Sequence, residues 1–488
     1  MRRGASSAPW LAALAGIALA ASFPPLGFAP LAWVALWPLL VAIRTRPAAG
    51  RLALGAVTGL VWAGFTVAPW LYPAIRSHLA AGTLTATLLT TGAVWTYGGV
   101  YLAIFALVYS WLPRPRWLAA PAAWVLLETL RAHVLGGAPW ALLGHSQHAL
   151  LALAQIAELG GVGSLSFLVL IPAAALAASG RERIIGLAAA LVAALAAATF
   201  GASRLAAPTP AEAGDSVTVR VVSGHNLDAD SLLGYFQATT GDPPAALLIW
   251  PENAVTSYLE DDPVARATVA QVARTRGWFL LGAPRYEGSG AARRYFNSAL
   301  LFDPGGERRG VYDKQWLVPL AERSPLPFLH TVERPFTSGS PQPPPLVAGR
   351  LRVGPLVCWD AVFPEPALSY TRAGVDLLVN LTSDQDLGRG ALQLLAFSRF
   401  RAIETRRWLV RASGTGATYL VDPLGRVHEG DTLRLLPGAG SPPTFYARHA
   451  GIVVWAPAVL LVLLVAIGWR ERMVVPHRER SSAVESVR

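Results

Sequence analysis

Long apolar stretches separated by short arginine-rich segments fill the first 206 residues, and one more lies near the C-terminus. A helix that crosses a bilayer needs about 20 predominantly apolar residues. The pattern therefore predicts about eight membrane-spanning helices, at roughly residues 9–22, 26–43, 52–73, 83–112, 117–134, 150–178, 184–206 and 451–469. The first stretch is short, and a signal peptide is its alternative interpretation. Because no small-residue cleavage site follows it and further spans come at once, we expect a retained helix.

Composition agrees with a membrane protein. The chain is 53% hydrophobic and 15% charged, with a mean hydropathy of +0.41, which is more apolar than a typical soluble protein. Arginine clusters alternate with the predicted spans, at residues 2–3, 44–51, 114–116, 181–183 and 470–480. The positive-inside rule then places both termini in the cytoplasm. Part of the net charge of +11 is explained by this topology, so we do not interpret it as a nucleic-acid signal.

A second kind of pattern begins after the Pro/Ala-rich segment "AAPTPAEAGDS" at residues 206–216. Short apolar runs typical of strands buried on both faces alternate there with amphipathic helical stretches, which indicates an α/β sandwich. We expect a membrane domain at 1–206, an extracytoplasmic α/β domain at 207–450, a last transmembrane helix at 451–470 and a basic cytoplasmic tail at 471–488.

Polar residues with catalytic potential follow three predicted strands of this domain. They are Glu252 in "LLIWPE", Lys314 in "VYDKQWLVP" and Cys358, the single cysteine of the chain, in "RVGPLVCWD". A buried carboxylate can accept the proton of a thiol, and a lysine can stabilise a thiolate and then an oxyanion. These residues suffice for acyl transfer through a thioester. The alternatives are a cysteine that acts as a small hydrophobic residue and ordinary solvated charges.

The order of these motifs resembles a known family. "WPE", "YDKQWLVP" and "CWDAVFPE" resemble the Glu-Lys-Cys signature of the nitrilase superfamily, whose fold is an αββα sandwich of the carbon-nitrogen hydrolase type. The membrane segments "SFPPLGFAPLAWVALWPLL", "LLETLRAHVLGGAPWALLGHSQ" and "GGVGSLSFLVL" resemble those of the apolipoprotein N-acyltransferases. The resemblance covers nearly the whole chain.

The resemblance implies a reaction in two steps. Cys358 attacks an ester of a membrane phospholipid and forms a thioacyl enzyme, with Glu252 as general base and Lys314 stabilising the tetrahedral intermediate. The acyl chain then passes to the α-amino group of a diacylglyceryl-cysteine apolipoprotein. The resemblance implies a bacterial inner-membrane enzyme with no metal, no cofactor and no nucleic-acid partner, and a monomer is the default expectation for this architecture.

Further positions match the family one at a time, with simpler alternatives beside them. Residues expected to support the site are Glu322, Asp360, Asn297 and Asn380. Residues expected to contact lipid are Pro139, Trp140, Trp359 and, in a candidate lid at 325–336, Phe328 and Phe336. Glu322 could equally be an exposed loop acid, Trp140 an interfacial anchor and the lid an ordinary proline-rich loop. Glu128 and Arg131 are spaced to pair on one helix.

Several positions depart from the family pattern and keep other functions open. Trp359-Asp360 stands where Tyr-Glu is usual, Arg323 replaces a tyrosine, and the loop after Asn380 lacks an expected aromatic residue. The first alternative function is an inactive scaffold that binds lipid or lipoprotein. The second is a membrane-anchored amidase or hydrolase. An intact Glu-Lys-Cys set argues against the scaffold, and eight predicted spans argue against a soluble substrate.

Overall fold

The computed structural model describes residues 7–206, 216–224, 232–240, 245–324, 332, 334–384, 387–438 and 441–485. The helices before the first strand are α1 (Ala8–Ala21), α2 (Trp37–Ala42), α3 (Ala48–Thr66), α4 (Ala68–His78), α5 (Thr83–Val94), α6 (Tyr101–Val108), α7 (Arg116–His133), α8 (Leu151–Ala154), α9 (Ala157–Ala177) and α10 (Gly180–Ala206). The later helices are α11 (Leu232–Thr240), α12 (Pro263–Arg276), α13 (Pro364–Arg372), α14 (Ala391–Thr405) and α15 (Phe445–Glu485).

Five helices among the described residues are long and apolar enough to cross a membrane. They are α3, the continuous helix Thr83–Val108, α9, α10 and the Phe445–Arg470 part of α15. Helix α1 and the stretch Ala29–Ala42 are apolar but shorter, and α7, at 18 residues, carries buried charges. The count of eight spans and the side of the membrane on which each loop lies therefore stay predictions.

Prolines explain why two of the predicted spans are interrupted. The stretch predicted at 26–43 divides into a 3-10 turn at Ala29–Trp33 and α2, each with a proline in its first turn. The stretch predicted at 52–73 ends as α3 at Thr66, and α4 then starts with Pro69 in its first turn. Proline lacks a backbone N–H and favours the first turn of a new helix over the interior of a long one.

Two six-stranded sheets form the α/β domain. Their strands are β1 (Val217–Val221), β2 (Leu247–Ile249), β3 (Trp278–Glu287), β4 (Arg294–Phe302), β5 (Arg308–Asp313), β6 (Leu346–Ala348), β7 (Leu351–Val357), β8 (Leu377–Thr382), β9 (Trp408–Ser413), β10 (Tyr419–Val421), β11 (Val427–His428) and β12 (Thr432–Leu435). The first sheet has the order β12-β1-β2-β3-β4-β5 and the second β11-β10-β9-β8-β7-β6. In the centres of the sheets, β1, β2 and β3 run parallel, as do β7, β8 and β9.

The sheets pack face to face, and helices cover their outer faces. One buried cluster joins the two sheets, with Ile249 and Leu280 from the first and Leu356 and Val379 from the second. On the other face of the first sheet, residues of β2 and β3 pack against α12, and α13 and α14 contact the second sheet. This is the α/β sandwich that the alternation of strands and helices predicted, in the αββα form that the family resemblance implied.

Aromatic and charged contacts join the sandwich to the membrane helices. Trp359 and Phe397 belong to the same buried cluster as Trp70 and Trp140 of the helical part. On another side, Glu158 of α9 forms ion pairs with Arg204 and with Arg406. The sandwich is thus held against the helices both by apolar packing and by the buried ion pair between Glu158 and Arg406.

Candidate active site

The three predicted catalytic residues all follow strands. Cys358 comes directly after β7 and Lys314 directly after β5, while Glu252 lies three residues beyond β2. Parallel central strands place their carboxyl ends at one edge of a sheet, which is where α/β folds collect functional side chains. The fold therefore brings together three residues that are more than 40 positions apart in sequence.

Cys358 has an unusual backbone. Its φ is +46°, a left-handed conformation that is uncommon for residues other than glycine and persists only where the surroundings hold it. Asn380 on the neighbouring strand β8 donates through Nδ2 to the carbonyl oxygens of Leu356 at 3.2 Å and Cys358 at 3.4 Å. Cys358 also begins the 3-10 turn Cys358–Val362. The turn presents a partly buried thiol at the end of the strand.

Lys314 lies between two carboxylates. Its Nζ atom is 2.9 Å from Oε1 of Glu322 and 3.6 Å from Oε1 of Glu252, and its side chain is 1% exposed. Asn297 of β4 donates through Nδ2 to both carboxylates, at 2.8 Å to Glu252 and 2.9 Å to Glu322. Glu322 is therefore part of the buried site, and the exposed-loop alternative for it is wrong.

The pKa values in this cluster are shifted by burial and by the neighbouring charges. Burial and the carboxylate of Glu252 raise the pKa of Cys358, against an opposing effect of Lys314. Burial also raises the pKa of Glu252, opposed by Lys314. For Lys314, burial acts to lower the pKa, but Glu322, Cys358 and Glu252 raise it on balance. The directions of these shifts favour a protonated thiol and a charged lysine in the resting site.

Asp360 connects the lysine segment to the cysteine turn. Its Oδ1 accepts from the backbone N–H groups of Gln315 at 3.1 Å and Trp316 at 2.8 Å. Its Oδ2 accepts from Tyr312 Oη at 2.7 Å and from the N–H of Val357 at 3.0 Å. Burial raises the pKa of this carboxyl to about 6, opposed by Lys314. The shorter aspartate at this position thus still ties both segments together.

Aromatic residues from both parts of the chain surround the cysteine turn. Trp140 is 1% exposed, and its ring stacks on Trp359 at 5.4 Å between centroids with an angle of 13°. An interfacial anchor would be exposed, so that alternative for Trp140 is wrong. A small cavity at Cys358 is lined on its apolar side by Trp359, Leu394 and Phe397.

The remaining predicted residues lie elsewhere. Pro139 lines a different cavity, between the membrane helices and the sandwich. Phe336 is partly buried, and its backbone N–H donates to the carbonyl oxygen of Glu322. Phe328 lies outside the described residues, as does most of the candidate lid. Glu128 accepts from the N–H of Leu143 at 2.6 Å, and Arg131 donates to the carbonyl oxygen of Trp140 at 3.3 Å.

Sequence reasoning missed the support of Glu252 from the loop after β8. The N–H of Ser383 donates to Oε2 of Glu252 at 2.9 Å, and the next residue, Asp384, pairs through both oxygens with Nη2 of Arg411, at 2.6 and 2.8 Å. The available signal was an arginine inside the apolar strand "WLVRAS", because a buried charge needs a partner.

A second missed feature is the close approach of β3 to the turn that carries Glu252. A Cβ atom on Gly282 would lie 2.5 Å from the Cα atom of Glu252, closer than two carbon atoms can pack. Gly282 also donates its N–H to the carbonyl oxygen of Pro251 at 3.2 Å. A glycine inside a strand pattern is the sequence signal for such an approach.

Comparisons with known proteins divide the chain into the same two parts, the membrane helices and the sandwich. Residues 15–175 match the family model described as apolipoprotein N-acyltransferase N-terminal domain, and residues 189–431 match carbon-nitrogen hydrolase. A solved carbon-nitrogen hydrolase from Helicobacter pylori is 18% identical, over 45% of this chain and 87% of that one, with a TM-score of 0.36. An amidase from Nesterenkonia sp. is 24% identical, over 48% and 93%, with a TM-score of 0.35.

Two curated relatives match over nearly their full length. The apolipoprotein N-acyltransferase of Geobacter metallireducens is 33% identical, over 95% of this chain and 96% of the relative. That of Azotobacter vinelandii is 32% identical, over 94% of each. Both the membrane helices and the sandwich are included in these alignments. The chain therefore belongs to the apolipoprotein N-acyltransferase family.

Proposed function

We propose that this protein transfers an acyl chain from a membrane phospholipid to the N-terminal amine of a diacylglyceryl-cysteine apolipoprotein, through a thioester on Cys358. In the first half-reaction the thiol sulfur attacks an ester carbonyl of the phospholipid. The S–C bond forms, the C–O bond of the ester breaks, and a lysophospholipid leaves. The proton of the thiol ends on the oxygen of the leaving alcohol.

Glu252 is proposed to carry that proton. A thiol with a raised pKa is a poor nucleophile on its own, so the attack needs a base beside it. Burial raises the pKa of Glu252 towards the range in which a carboxylate can accept a proton and then return it. Asn297 and the N–H of Ser383 fix the two oxygens of this carboxylate.

Lys314 is proposed to stabilise the negative charge that develops on the carbonyl oxygen. Its pKa is raised, so it remains charged through the reaction. Glu322 holds its Nζ atom at 2.9 Å, and a preorganised charge in a buried site costs no reorganisation when the oxyanion forms.

The second half-reaction transfers the chain to an amine. The neutral α-amino group of the lipoprotein cysteine attacks the thioester carbonyl, the N–C bond forms and the S–C bond breaks. One amine proton passes through Glu252 to the departing sulfur, which restores the thiol. Water must stay away from the thioester meanwhile, and the apolar residues Trp359, Leu394 and Phe397 beside Cys358 support that exclusion.

The contact between the cysteine turn and the membrane helices is the observation that carries this proposal. Trp359, the residue after the nucleophile, stacks on Trp140 of the helical part. Gln393 of α14 donates to the carbonyl oxygen of Thr66 at the end of α3 at 3.1 Å. Lipid substrates held in a bilayer would reach a thiol in this position without leaving the membrane. A soluble amide substrate would not require a thiol that lies against the membrane helices.

A transfer assay with two acceptors tests the proposal. Purified protein in phospholipid micelles is given a diacylglyceryl-cysteine peptide with a free amine, or the same peptide with its amine acetylated. We expect the free-amine peptide alone to gain an acyl chain, and Cys358→Ala to give no product. Release of free fatty acid at equal rates with both peptides would instead support a hydrolase.

The same assay separates the proposal from the scaffold alternative. A scaffold would bind the lipopeptide but leave both peptide and phospholipid unchanged. The proposal also includes the expected domain boundaries and the expected topology. In that topology residues 207–450 lie outside the cytoplasm and both termini lie inside it.

A further inference from the structure

A second cavity lies between the membrane helices and the sandwich. It has a volume of about 410 Å³ and is bounded by α7, α9 and α15, together with the start of α13 and the end of α14. This size falls in the range of small-molecule sites, about 300–1,000 Å³. The described lining does not include Glu252, Lys314 or Cys358.

The greater part of the lining is apolar and comes from membrane helices. Val125 of α7, Phe167 of α9 and Val453, Pro457 and Leu460 of α15 contribute to it. Helix α9 and the first part of α15 are among the helices long and apolar enough to cross a membrane. This part of the cavity suits hydrocarbon chains.

Two buried hydrogen-bond donors lie in the polar part of the lining. His145 is 3% exposed and Arg401 2% exposed. Neither Nε2 of His145 nor Nε of Arg401 has a hydrogen-bond partner among the residues that the structure describes. Nδ1 of His145 accepts from the N–H of Leu142 at 3.2 Å, so in the neutral ring Nε2 carries the proton.

Unsatisfied buried donors are costly, and native structures usually provide an acceptor for them. The second guanidinium nitrogen, Nη2 of Arg401, is already paired with Glu404 at 2.7 Å. The free donors therefore call for acceptor oxygens on a ligand. Among the described residues, Oε2 of Glu128 in the same lining also lacks a hydrogen-bond partner, and Oε2 of Glu404 has its ion pair with Arg401 but no hydrogen bond. These two carboxylates call for a donor group beside those oxygens. A molecule with ester or phosphate oxygens next to hydrocarbon chains would satisfy the free donors and also fill the apolar part of the cavity.

We propose that this cavity is a binding site for one intact membrane glycerophospholipid, separate from the acyl-donor position at Cys358. Its chains lie between α7, α9 and α15, and its ester or phosphate oxygens accept from His145 and Arg401. Val362 lines both this cavity and the one at Cys358, so the bound lipid would pack against the far side of the nucleophile's turn. The proposal does not depend on thioester formation.

Photocrosslinking in the Cys358→Ala protein tests this site without acyl transfer. The probe is a diacyl phospholipid with a diazirine in one acyl chain, and adducts are located by peptide mass spectrometry. We expect adducts on the lining residues of α7 and α15. Excess unlabelled phospholipid should suppress them, and excess diacylglyceryl-cysteine peptide should not.

Matched substitutions on α7 make the test specific. Thr129 lines the cavity, while the next residue, Leu130, is 49% exposed and outside its lining. Thr129→Trp fills the cavity and should reduce the adducts about tenfold, while Leu130→Trp should not. Val453→Trp on α15 provides a second filling variant if Thr129→Trp does not fold. Adducts that persist in both filling variants, or that the lipopeptide suppresses more than phospholipid does, would overturn the proposal.

Discussion

At the scale of single residues, the site depends on a small number of buried charges that hold one another in place. Lys314 is bonded to Glu322 and lies near Glu252, and Asn297 joins the two carboxylates. Removing one member of such a network leaves the others buried without a partner, which is costly. Substitutions that keep the shape and change only the proton chemistry therefore give the clearest tests.

Glu252→Gln is the first such substitution. The amide keeps an oxygen for Asn297 but cannot accept a proton, so we expect acyl transfer to fall by about 100- to 10,000-fold, the usual contribution of a general base. The measurement is the rate of lipopeptide acylation, with thermal unfolding to show that the fold is retained. Glu307→Gln, at an exposed turn residue, is the control. Equal rates for wild type and Glu252→Gln would contradict the proposed role.

Asp360 gives a prediction about pH. Its pKa in the folded chain is raised to about 6, above the ordinary value of about 4 for an unfolded chain. The folded state thus binds the proton more tightly, so this group lowers the free energy of unfolding as pH rises from about 4 through 6. Asp360→Asn should weaken that fall in a thermal-unfolding series over pH.

The control for this series is Asp431→Asn, because the Asp431 side chain is 51% exposed. We expect its unfolding profile to follow that of the wild type. A profile for Asp360→Asn that also follows the wild type would show that the buried carboxyl does not titrate in this range.

At the scale of elements, most strands and helices of the sandwich could be predicted from the pattern of apolar residues. The apolar run "WFLLGAPRYE" predicts a strand and coincides with β3. The segment "DPVARATVAQVARTRG", with an Asp-Pro start and a Gly stop, predicts a helix and corresponds to α12, where Asp262 accepts from the N–H of Ala265. What the pattern could not provide was pairing between distant segments. The order of the two sheets depends on pairing between strands that are distant in sequence, and the link from Ser383 to Glu252 spans 131 positions.

For the candidate site, the sequence predicted the catalytic residues but not how they come together. Glu252, Lys314 and Cys358 each follow a strand, which the sequence indicated, but their convergence required the sheet order. Asp360 was expected to support the site although it departs from the family pattern, and only the folded structure places its four donors around it. The roles of these residues remain proposals.

The approach of β3 to the Glu252 turn gives a prediction at this scale. Gly282→Ala would place a methyl group 2.5 Å from the backbone of Glu252, so the turn must move and the carboxylate with it. We expect a large fall in the acylation rate, while alkylation of Cys358 by a maleimide continues. Gly92→Ala is the control, since nothing lies within 4 Å of a Cβ there. Unchanged acylation in Gly282→Ala would mean that the turn tolerates the displacement.

At the scale of the whole molecule, the sandwich is fixed against a helical part that is apolar on its outside. Trp10, Leu191 and Trp455 are 61–77% exposed on α1, α10 and α15, as expected of surfaces that face lipid rather than water. The arginine clusters then give the predicted orientation, with the sandwich outside the cytoplasm.

Labelling of introduced cysteines tests that orientation, because the chain has a single native cysteine to remove. In a Cys358→Ser background, Val264→Cys in the sandwich and Arg181→Cys in the first turn of α10 are both at exposed positions. A membrane-impermeant maleimide should label Val264→Cys in spheroplasts and Arg181→Cys only after permeabilisation. Labelling of the two in the reverse order would invert the proposed topology.

The central claim is that Cys358 carries the acyl chain, and intact mass spectrometry tests it most directly. Wild-type protein and Cys358→Ala are purified, incubated with phospholipid micelles and weighed. We predict an acyl-sized mass increase in the wild type that hydroxylamine removes, that a diacylglyceryl-cysteine peptide discharges and that Cys358→Ala lacks. A wild-type protein that gains no mass with any phospholipid, or a Cys358→Ala protein that gains the same mass, would contradict the account.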